Sequence, residues 1–378
     1  MTAIEHNRRS RWEAFYATGP ADRSKEGTTP SDESPRHLLL VDTPSLDPAR
    51  PPLHPDRKQD RIEWAWAKYL AQLERMEWLA DDRIPYLDCL TGTEIFAQAF
   101  GCEVGYPELD NPFAIPCVHN ANEASALAVP SLDSPSLALM FEIAEELRRR
   151  AGDEALLRLP DIQSPMDIAG IVWDKNDFFI SIVESQDAVL DLAQKTGNLL
   201  TRFLDEWFAR YGHAFVAHYP DYYMPFGITL SEDEIGSVGP ELFEKLFLPE
   251  LSELSRRYDA IGIHCCAHAV HQWDGLARVE GLRVLNLNQP DEVIREAIPR
   301  FAGVAAQLPL ASPVTEPDQK KSALEWEAAW RDAFERAGSA RLIYNVTASD
   351  EDAARAMVDG FRAALGGVAP SGNSGTQR

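Results

Sequence analysis

Apolar residues follow one another along this chain with two different spacings. In the segment 61–78 they recur every three or four residues, which predicts an amphipathic helix with a buried aromatic face. The same spacing predicts helices over 94–100, 137–150, 188–211, 240–258, 292–300 and 323–337. Short apolar runs lie between most of these helices and predict strands over 38–41, 84–88, 156–161, 228–231, 260–264, 282–287, 304–308 and 341–346.

Strands that alternate with helices are typical of an α/β fold whose strands run parallel. The number of predicted strands favours one (β/α)8 TIM barrel, preceded by an irregular or helical N-terminal extension. We therefore expect a partly irregular arm over 1–60, the barrel over 61–365 and a disordered tail over 366–378. The arm is rich in Pro, Asp, Ser and Arg, and the tail is small and polar.

Charge and cysteine content limit the classes of function. Lys and Arg total 36 against 60 Asp and Glu, a formal net charge of -24, which argues against nucleic-acid binding and against anionic membranes. The N-terminus lacks an apolar run of signal-peptide length and no other run could span a membrane, so we expect a cytoplasmic protein. The five cysteines include one adjacent pair, a pattern that favours reduced thiols over a disulfide framework.

The clearest chemical motif follows the apolar run that ends at His264. In a TIM barrel the carboxyl ends of the strands face the active site. Side chains alternate along an extended segment, so His264 and Cys266 would share one face and Cys265 would point toward the helices. Imidazole and thiolate are ligands that zinc prefers, which makes this pair a candidate metal site. The alternative is a buried, non-ligating Cys266 beside a hydrogen-bonded histidine.

A second motif places three acidic residues, Glu232, Asp233 and Glu234, directly after the strand over 228–231. Adjacent carboxylates repel one another, which raises the pKa of at least one and predicts a general acid or a cation site. The alternative is structural, because Ser231 and Glu234 also have the spacing of a helix capping box. Among the three we expect Asp233 to be the main catalytic candidate, followed by Glu232.

Other polar residues end predicted strands or lie in the loop over 218–225, where they would surround the same barrel mouth. Asp161 and Tyr344 are further catalytic candidates. Candidates for substrate binding are Asp221, Tyr222, Tyr223, Asn286 and Gln289. The tyrosines have an alternative role as packing residues.

Four segments together resemble the uroporphyrinogen decarboxylase superfamily. They are IPYLDCLTGTEIFAQAFGCE (84–103), ITLSEDE with VGPELFEKLFLP (228–234 and 238–249), IHCCA (263–267) and the strand over 282–290. The resemblance covers about 84–365. It implies a (β/α)8 barrel and one of two activities: cofactor-free decarboxylation of uroporphyrinogen, or zinc-dependent methyl transfer from a corrinoid to a thiol.

The sequence departs from both branches of this superfamily. The arginine-rich loop of the decarboxylases has no counterpart over 36–55. His264 and Cys266 match the first two zinc ligands of the methyltransferases, but the third, a cysteine near the last strand, is replaced in a segment that contains Tyr344 and Asn345. Zinc would then need one of four other residues to complete its shell, or it would be absent; the four are His268, His271, Glu232 and Asp233.

The resemblance favours a zinc-assisted methyltransferase that acts on a small thiol or related nucleophile with a corrinoid methyl donor. Its expected partners are a small-molecule substrate and a corrinoid protein. One alternative is a decarboxylase-type lyase for an acidic substrate. In that reaction Asp161 or Asp233 would stabilise a protonated ring of the substrate or supply the proton. The other alternative is a barrel without catalysis that binds a ligand or a corrinoid protein.

Overall fold

The computed structural model describes residues 2–17, 35–108, 110–311, 333, 334 and 336–365. The strands are β1 (His37–Asp42), β2 (Tyr86–Leu87), β3 (Glu103–Gly105), β4 (Phe113–Ile115), β5 (Leu156–Leu157), β6 (Phe215–Val216), β7 (Tyr223–Met224), β8 (Ile228–Ser231), β9 (Ile261–Cys265), β10 (Leu282–Gln289), β11 (Ala306–Ala311) and β12 (Leu342–Thr347). The α-helices are α1 (Ala3–Ala17), α2 (Lys58–Trp78), α3 (Glu94–Ala99), α4 (Ala121–Ala126), α5 (Pro135–Ala151), α6 (Pro165–Val172), α7 (Lys175–Glu184), α8 (Gln186–Tyr211), α9 (Pro240–Leu242), α10 (Leu248–Tyr258), α11 (Trp273–Leu276), α12 (Asp291–Phe301) and α13 (Glu351–Leu365). A π-helical segment, Phe243–Phe247, joins α9 to α10.

Six strands form one continuous parallel sheet in the order β1-β12-β11-β10-β9-β8. Strands β2 and β5 pair in parallel, and an isolated parallel bridge between Gln163 and Ser231 connects the chain after β5 to β8. These eight strands form the (β/α)8 barrel that the alternation of strands and helices predicts. The antiparallel hairpins β3–β4 and β6–β7 are additions to the eight strands.

Local sequence signals determine where the helices begin and end. Ser164 caps α6, because its Oγ accepts a hydrogen bond from the backbone N–H of Asp167 (3.0 Å), and Pro165 occupies the first turn. Gly212 follows the last residue of α8 with a φ of 87°, a conformation that glycine adopts without strain. The chain therefore leaves α8 sharply and returns to the barrel at β6.

The barrel has a seam between β1 and β2 that side chains close. The backbone N–H of Leu39 donates to Asp82 Oδ2 (2.8 Å), and that of Val41 donates to Asp81 Oδ2 (3.1 Å). The backbone N–H of Asp82 in turn donates to the carbonyl of Leu39 (2.8 Å). Two aspartates thus satisfy the edge of β1 where a neighbouring strand would otherwise supply carbonyl groups.

Helix α1 packs over this seam. Arg8 pairs with Asp81 (2.8 Å) and Arg11 pairs with Asp82 (2.6 Å), so each seam carboxylate has a cationic partner. Trp12 is fully buried, and its Nε1–H donates to the carbonyl of Asp82 (2.7 Å). The N-terminal helix therefore contributes both charge and apolar surface to closing the barrel.

Most predicted elements are confirmed, some with changed lengths. The strand over 228–231 matches β8, whereas the strand predictions over 84–88 and 156–161 are confirmed only as the two-residue strands β2 and β5. Neither hairpin was predicted, because strands of two or three residues are too short to show a periodic pattern. The predicted helix over 323–337 lies largely outside the described residues, and the tail over 366–378 lies wholly outside them. Within the described ranges, no helix is long and apolar enough to cross a membrane.

Candidate metal centre

Three neighbouring strands bring a row of polar residues toward the carboxyl end of the barrel. In the parallel register, Ser231 of β8, His264 of β9 and Asn286 of β10 lie side by side. Residues in register on neighbouring strands share one face of the sheet. All three are buried, so the row belongs to the protein interior rather than to its surface.

Asn286 fixes the orientation and the tautomer of His264. The Nδ2–H of Asn286 donates to the carbonyl of Leu308 (2.5 Å), which turns Oδ1 toward the imidazole. His264 Nδ1–H then donates to this oxygen. The second ring nitrogen, Nε2, keeps its lone pair and is the atom that can bind a metal. Tyr219 supports the ring from the side, with the two planes at 87° and the centroids 4.9 Å apart.

The structure brings His264 and Cys266 together, and it adds Asp233 to them. One potential ligand atom from each of these residues lies within 4.8 Å of the other two. We call Asp233, His264 and Cys266 the donor cluster. Cys265, in contrast, is fully buried among apolar core residues, in agreement with the alternation of side chains that the sequence predicts.

Hydrogen bonds to backbone amides hold the donor cluster in place. The backbone N–H of Cys266 donates to Asp233 Oδ1 (2.6 Å). Asp167, in the first turn of α6, accepts hydrogen bonds from the backbone N–H groups of Asp233 (2.8 Å) and Glu234 (3.0 Å). The loop that carries Asp233 is therefore attached to a helix N-terminus and not left to its own flexibility.

The donor cluster combines one carboxylate with a thiol whose anionic form a bound cation would stabilise. Cys266 is exposed, but its partial desolvation in the barrel mouth and the negative charge of Asp233 raise the pKa of this thiol to about 12. Imidazole nitrogen, thiolate sulfur and carboxylate oxygen are all zinc ligands, and three protein ligands leave a fourth position open. The three residues therefore fit a zinc ion.

Glu232, between Ser231 and Asp233, points away from the donor cluster. Its side chain is fully buried, and burial together with the negative charge of Asp167 raises the pKa of Glu232 well above its usual value. Burial and the charge of Asp233 also raise the pKa of Asp167 to about 7. The acidic motif thus contains a raised pKa, as predicted, but desolvation and a residue of α6 cause it more than the neighbours in sequence.

His218 extends the polar row into the barrel without being a ligand. Its Nδ1 and Nε2 lie 3.0 Å from Thr229 Oγ1 and Ser231 Oγ. Complete burial and the nearby His264 hold the pKa of His218 well below its usual value. This histidine is therefore neutral, and both of its ring nitrogens form hydrogen bonds with side chains of strand β8.

A second group of charged residues lies at the ends of β1, β2 and β5. We call it the ion-pair cluster, and its members are three cations and three carboxylates: Lys68, Arg83, Arg158, Asp42, Asp88 and Asp221. Asp88 lies 3.0 Å from both Lys68 and Arg158, and Arg158 also pairs with Asp221 (3.1 Å). Arg83 pairs with Asp42 (2.7 Å). The charges of this cluster balance.

Asp161 is under the influence of both clusters. Burial raises the pKa of its carboxyl to about 6; the positive charge of Arg158 opposes that shift and the negative charge of Asp233 adds to it. Gln163 Nε2–H donates to Asp161 Oδ1 (2.9 Å), and the backbone N–H of Asp161 donates to Thr91 Oγ1 (2.8 Å). A carboxyl group held in this way can exchange a proton near neutral pH.

Comparison with known proteins decides the family. A family model described as uroporphyrinogen decarboxylase (URO-D) matches residues 80–301. The chain belongs to the URO-D family. Its matched region runs from the segment before β2 to the end of α12 and contains the whole donor cluster. The predicted family and the predicted TIM barrel are therefore confirmed.

One solved structure shows how far the fold likeness extends. A methyltransferase from Methanosarcina mazei superposes with a TM-score of 0.63 and is 12% identical, and the match covers 95% of this chain and 99% of that chain. At this identity the likeness concerns the fold. No curated protein sequence matches the chain.

Several predicted site residues of this URO-D family member lie away from the donor cluster. Tyr344 is buried against α13, where its ring lies 5.0 Å from that of Phe361. Tyr222 and Tyr223 are buried, and the carbonyl of Tyr223 accepts a hydrogen bond from Tyr16 (2.8 Å). Asp221 belongs to the ion-pair cluster. At these positions the side chains pack in the core or form ion pairs, and they do not reach the donor cluster.

The remaining candidates can be placed as well. Gln289 donates through Nε2 to the carbonyls of Cys266 (3.2 Å) and Ala267 (2.7 Å), so it supports the segment that carries the thiol. His268 is exposed and His271 donates to the carbonyl of Val238 (3.0 Å). Of the four candidates for a third ligand, Asp233 is the one that the structure brings to His264 and Cys266.

Sequence reasoning missed three residues of this region. Asp167 follows Ser164 and Pro165, a pattern that predicts a helix start but not a contact with a strand end far along the chain. His218 begins the loop over 218–225 but has no predicted role of its own, and Arg158 belongs to no motif. Their contacts depend on which strands become neighbours, and that information is not contained in any short segment.

Proposed function

We propose that this protein is a zinc-assisted methyltransferase that moves a methyl group from a corrinoid donor to a small thiol or a related nucleophile. The observation that carries the proposal is the donor cluster: an imidazole, a thiol and a carboxylate converge within 4.8 Å at the strand ends. The methyltransferase from Methanosarcina mazei has the same fold, which supports methyl transfer as the reaction type.

Within this proposal, His264 Nε2, Cys266 Sγ and Asp233 hold the ion. Bound zinc would act as a Lewis acid that keeps a substrate thiol in its thiolate form at neutral pH. Asn286 keeps the His264 lone pair available, and Asp167 fixes the loop of Asp233. Asp161, whose pKa is raised to about 6, is the group to which we assign the proton released by the substrate.

Neither alternative has comparable support. A decarboxylase for an acidic substrate needs cations that can bind carboxylates, and the cations Arg83 and Arg158 are already paired with aspartates of the ion-pair cluster. A barrel without chemistry would have no reason to place groups of raised pKa beside one another. Asp161, Asp167 and Glu232 all have raised pKa values, which favours an enzyme.

Metal analysis of the purified protein tests the metal part of the proposal. We expect one zinc per chain in the wild type and in Cys265→Ala, and loss of zinc in His264→Ala and Cys266→Ala. Cys265→Ala is a matched control, because it removes a neighbouring thiol that points into the core. Retention of zinc by His264→Ala and Cys266→Ala would contradict the proposed site.

Activity tests the reaction. Methylcobalamin and a panel of small thiols are incubated with the zinc-loaded protein, and demethylation is followed by the absorbance of the corrinoid. We expect turnover in the wild type and in Cys265→Ala, and its loss in the two ligand variants. If zinc is bound but no thiol of the panel is methylated, the metal site stands and the proposed reaction does not. Uroporphyrinogen turnover by the same preparation would support the decarboxylase instead.

A further inference from the structure

Two cysteines outside the donor cluster lie within reach of each other. The Sγ atoms of Cys102 and Cys117 are 3.4 Å apart, and both residues are free thiols. A disulfide bond is about 2.05 Å long, so a shift of roughly 1.4 Å would join them. They flank the β3–β4 hairpin, which is separate from the eight strands of the barrel.

The backbone on both sides keeps this pair in position. Gly101 has a φ of 102° and ends the turn after α3, and the backbone N–H of Cys102 donates to the carbonyl of Ala97 (3.1 Å). On the other side, the backbone N–H of Cys117 donates to the carbonyl of Val172 at the end of α6 (3.0 Å). Pairing of Glu103 with Ile115 sets the register of the hairpin that links the two. The backbone therefore holds the two cysteines beside each other at the base of the hairpin.

The two thiols differ in a way that suits nucleophile and resolving cysteine. Cys117 is half-buried, whereas Cys102 is buried. A hydrogen bond from the Cys102 thiol lowers the pKa of Cys117 to about 7, and the same hydrogen bond raises the pKa of Cys102 above its usual value. The thiolate form is the nucleophile, so Cys117 would react first and Cys102 second.

We propose that Cys102 and Cys117 form a peroxide-sensitive dithiol that closes reversibly to an intramolecular disulfide. The Cys117 thiolate attacks hydrogen peroxide, the O–O bond breaks, Cys117 becomes a sulfenic acid, and the departing hydroxide takes up a proton to become water. The Cys102 sulfur then attacks the Cys117 sulfur, the S–O bond breaks, and hydroxide leaves with the Cys102 proton as a second water. Two thiols are oxidised by two electrons and one peroxide is reduced to two waters.

The other three cysteines lack this arrangement. Cys89 is buried, and burial raises the pKa of its thiol to about 12. Cys265 is buried as well, and burial raises its pKa well above the usual value. Cys266 belongs to the donor cluster, where its pKa is also raised. A modification confined to Cys102 and Cys117 is therefore independent of the proposed metal site.

Peptide mapping of the full chain tests the proposal. The protein is treated with a small molar excess of hydrogen peroxide, free thiols are blocked with N-ethylmaleimide, and the denatured chain is cut after glutamate. Cleavage at Glu94, Glu103, Glu108 and Glu123 places Cys102 in a peptide over 95–103 and Cys117 in a peptide over 109–123. We expect one species with the mass of both peptides less two hydrogens, and its loss after dithiothreitol. Absence of this species, or a cross-link that involves Cys266 instead, would overturn the proposal.

Serine variants separate the two roles. In Cys102→Ser we expect a sulfenic acid on Cys117 that dimedone labels, and in Cys117→Ser we expect neither cross-link nor label on Cys102. Cys89→Ser is the control and should cross-link like the wild type. Equal labelling of both thiols in the two single variants would contradict the assigned order. The wild-type map does not depend on how well the variants fold, so the proposal remains testable without them.

Discussion

The donor cluster and the ion-pair cluster are both built from titratable residues at strand ends, yet their charges are arranged differently. In the ion-pair cluster, Lys68, Arg83 and Arg158 face three aspartates at distances between 2.7 and 3.7 Å. In the donor cluster, one ligand atom each of Asp233, His264 and Cys266 lies within 4.8 Å of the other two, and no Lys or Arg pairs with Asp233 among the described residues. The cations and carboxylates of the ion-pair cluster therefore neutralise one another without a bound ion.

The difference shows in the pKa of one carboxyl of the first group, Asp88, and of the thiol of the second, Cys266. Burial alone would raise the pKa of Asp88, but Arg158 and Lys68 reverse that effect and hold the pKa below its usual range. Burial and the charge of Asp233 instead raise the pKa of Cys266 to about 12. Protein cations keep the Asp88 carboxyl ionised, whereas the Cys266 thiol would need a cation from outside to lose its proton near neutral pH. A binding site can thus be distinguished from a structural ion pair by its charge balance.

Removal of Arg158, the central cation of the ion-pair cluster, should have the largest effect on stability. Arg158→Leu would leave Asp88 and Asp221 buried without their shared partner, and we expect a loss of about 3 to 5 kcal/mol in the free energy of unfolding. Urea unfolding measures it. Arg158→Lys, which keeps the charge, should lose less. A loss below about 1 kcal/mol, the range of exposed ion pairs, would mean that the cluster is not structural.

The second change removes the carboxylate of the donor cluster. Asp233→Asn should weaken zinc binding by more than about 100-fold, beyond the effect typical of residues that only support a ligand. Competition with a chromophoric chelator measures the dissociation constant. Glu234→Gln is the matched control, since Glu234 is the next acidic residue and pairs with Lys175 near the surface. Unchanged affinity in Asp233→Asn would exclude Asp233 as a ligand.

The third change concerns a positioning residue. Asn286→Ala removes the acceptor that fixes the His264 tautomer, and we expect zinc binding to weaken by about 10- to 100-fold. Asn286→Asp keeps an oxygen acceptor and should restore most of the affinity. The same titration measures both variants. If both lose affinity equally, Asn286 supports the core through Leu308 and not the imidazole.

The smallest expected effect is the pH dependence that Asp161 causes. Its folded pKa of about 6 lies above the ordinary value of 3.8, so the folded state holds this proton more tightly than the unfolded state. The stabilising contribution is complete below pH 3.8 and is lost as the pH rises through about 6. Asp161→Asn should therefore be more stable than wild type at pH 8, by about 1 kcal/mol after solvent screening, and equal to it at low pH. Thermal unfolding at several pH values checks this, and a constant difference would contradict it.

Much of the barrel could be predicted because its longer elements carry a clear period. Strand β9 ends in the motif that contains His264 and Cys266, and alternation along the strand predicts that these two share a face. The same rule, continued from β8, places Asp233 with Ser231 and turns Glu232 away. The sequence left Asp233 as one of four candidates for the third ligand. The pattern within a single segment does not predict how closely the ends of two strands approach each other.

The rest could not be predicted for a physical reason. Arg158 meets Asp88, which lies 70 positions away in the chain, and Asp221, which is also distant in sequence, and Asp167 meets Asp233 from a helix whose own start signal is local. Short strands such as β2 and β5 are held by these contacts and have little periodicity of their own. Tertiary contacts decide their conformation, so local patterns underestimate them.

The seam between β1 and β2 is closed by the carboxylates of Asp81 and Asp82 together with the peptide hydrogen bond from Asp82 to the carbonyl of Leu39. Salt screens exposed charge pairs strongly and buried pairs much less. Arg8 and Asp81 are buried, whereas the Arg11 side chain is partly exposed, so added salt should weaken the Arg11–Asp82 pair before the Arg8–Asp81 pair. The N-terminal helix would then lose one of its two charged attachments to the seam and keep the other.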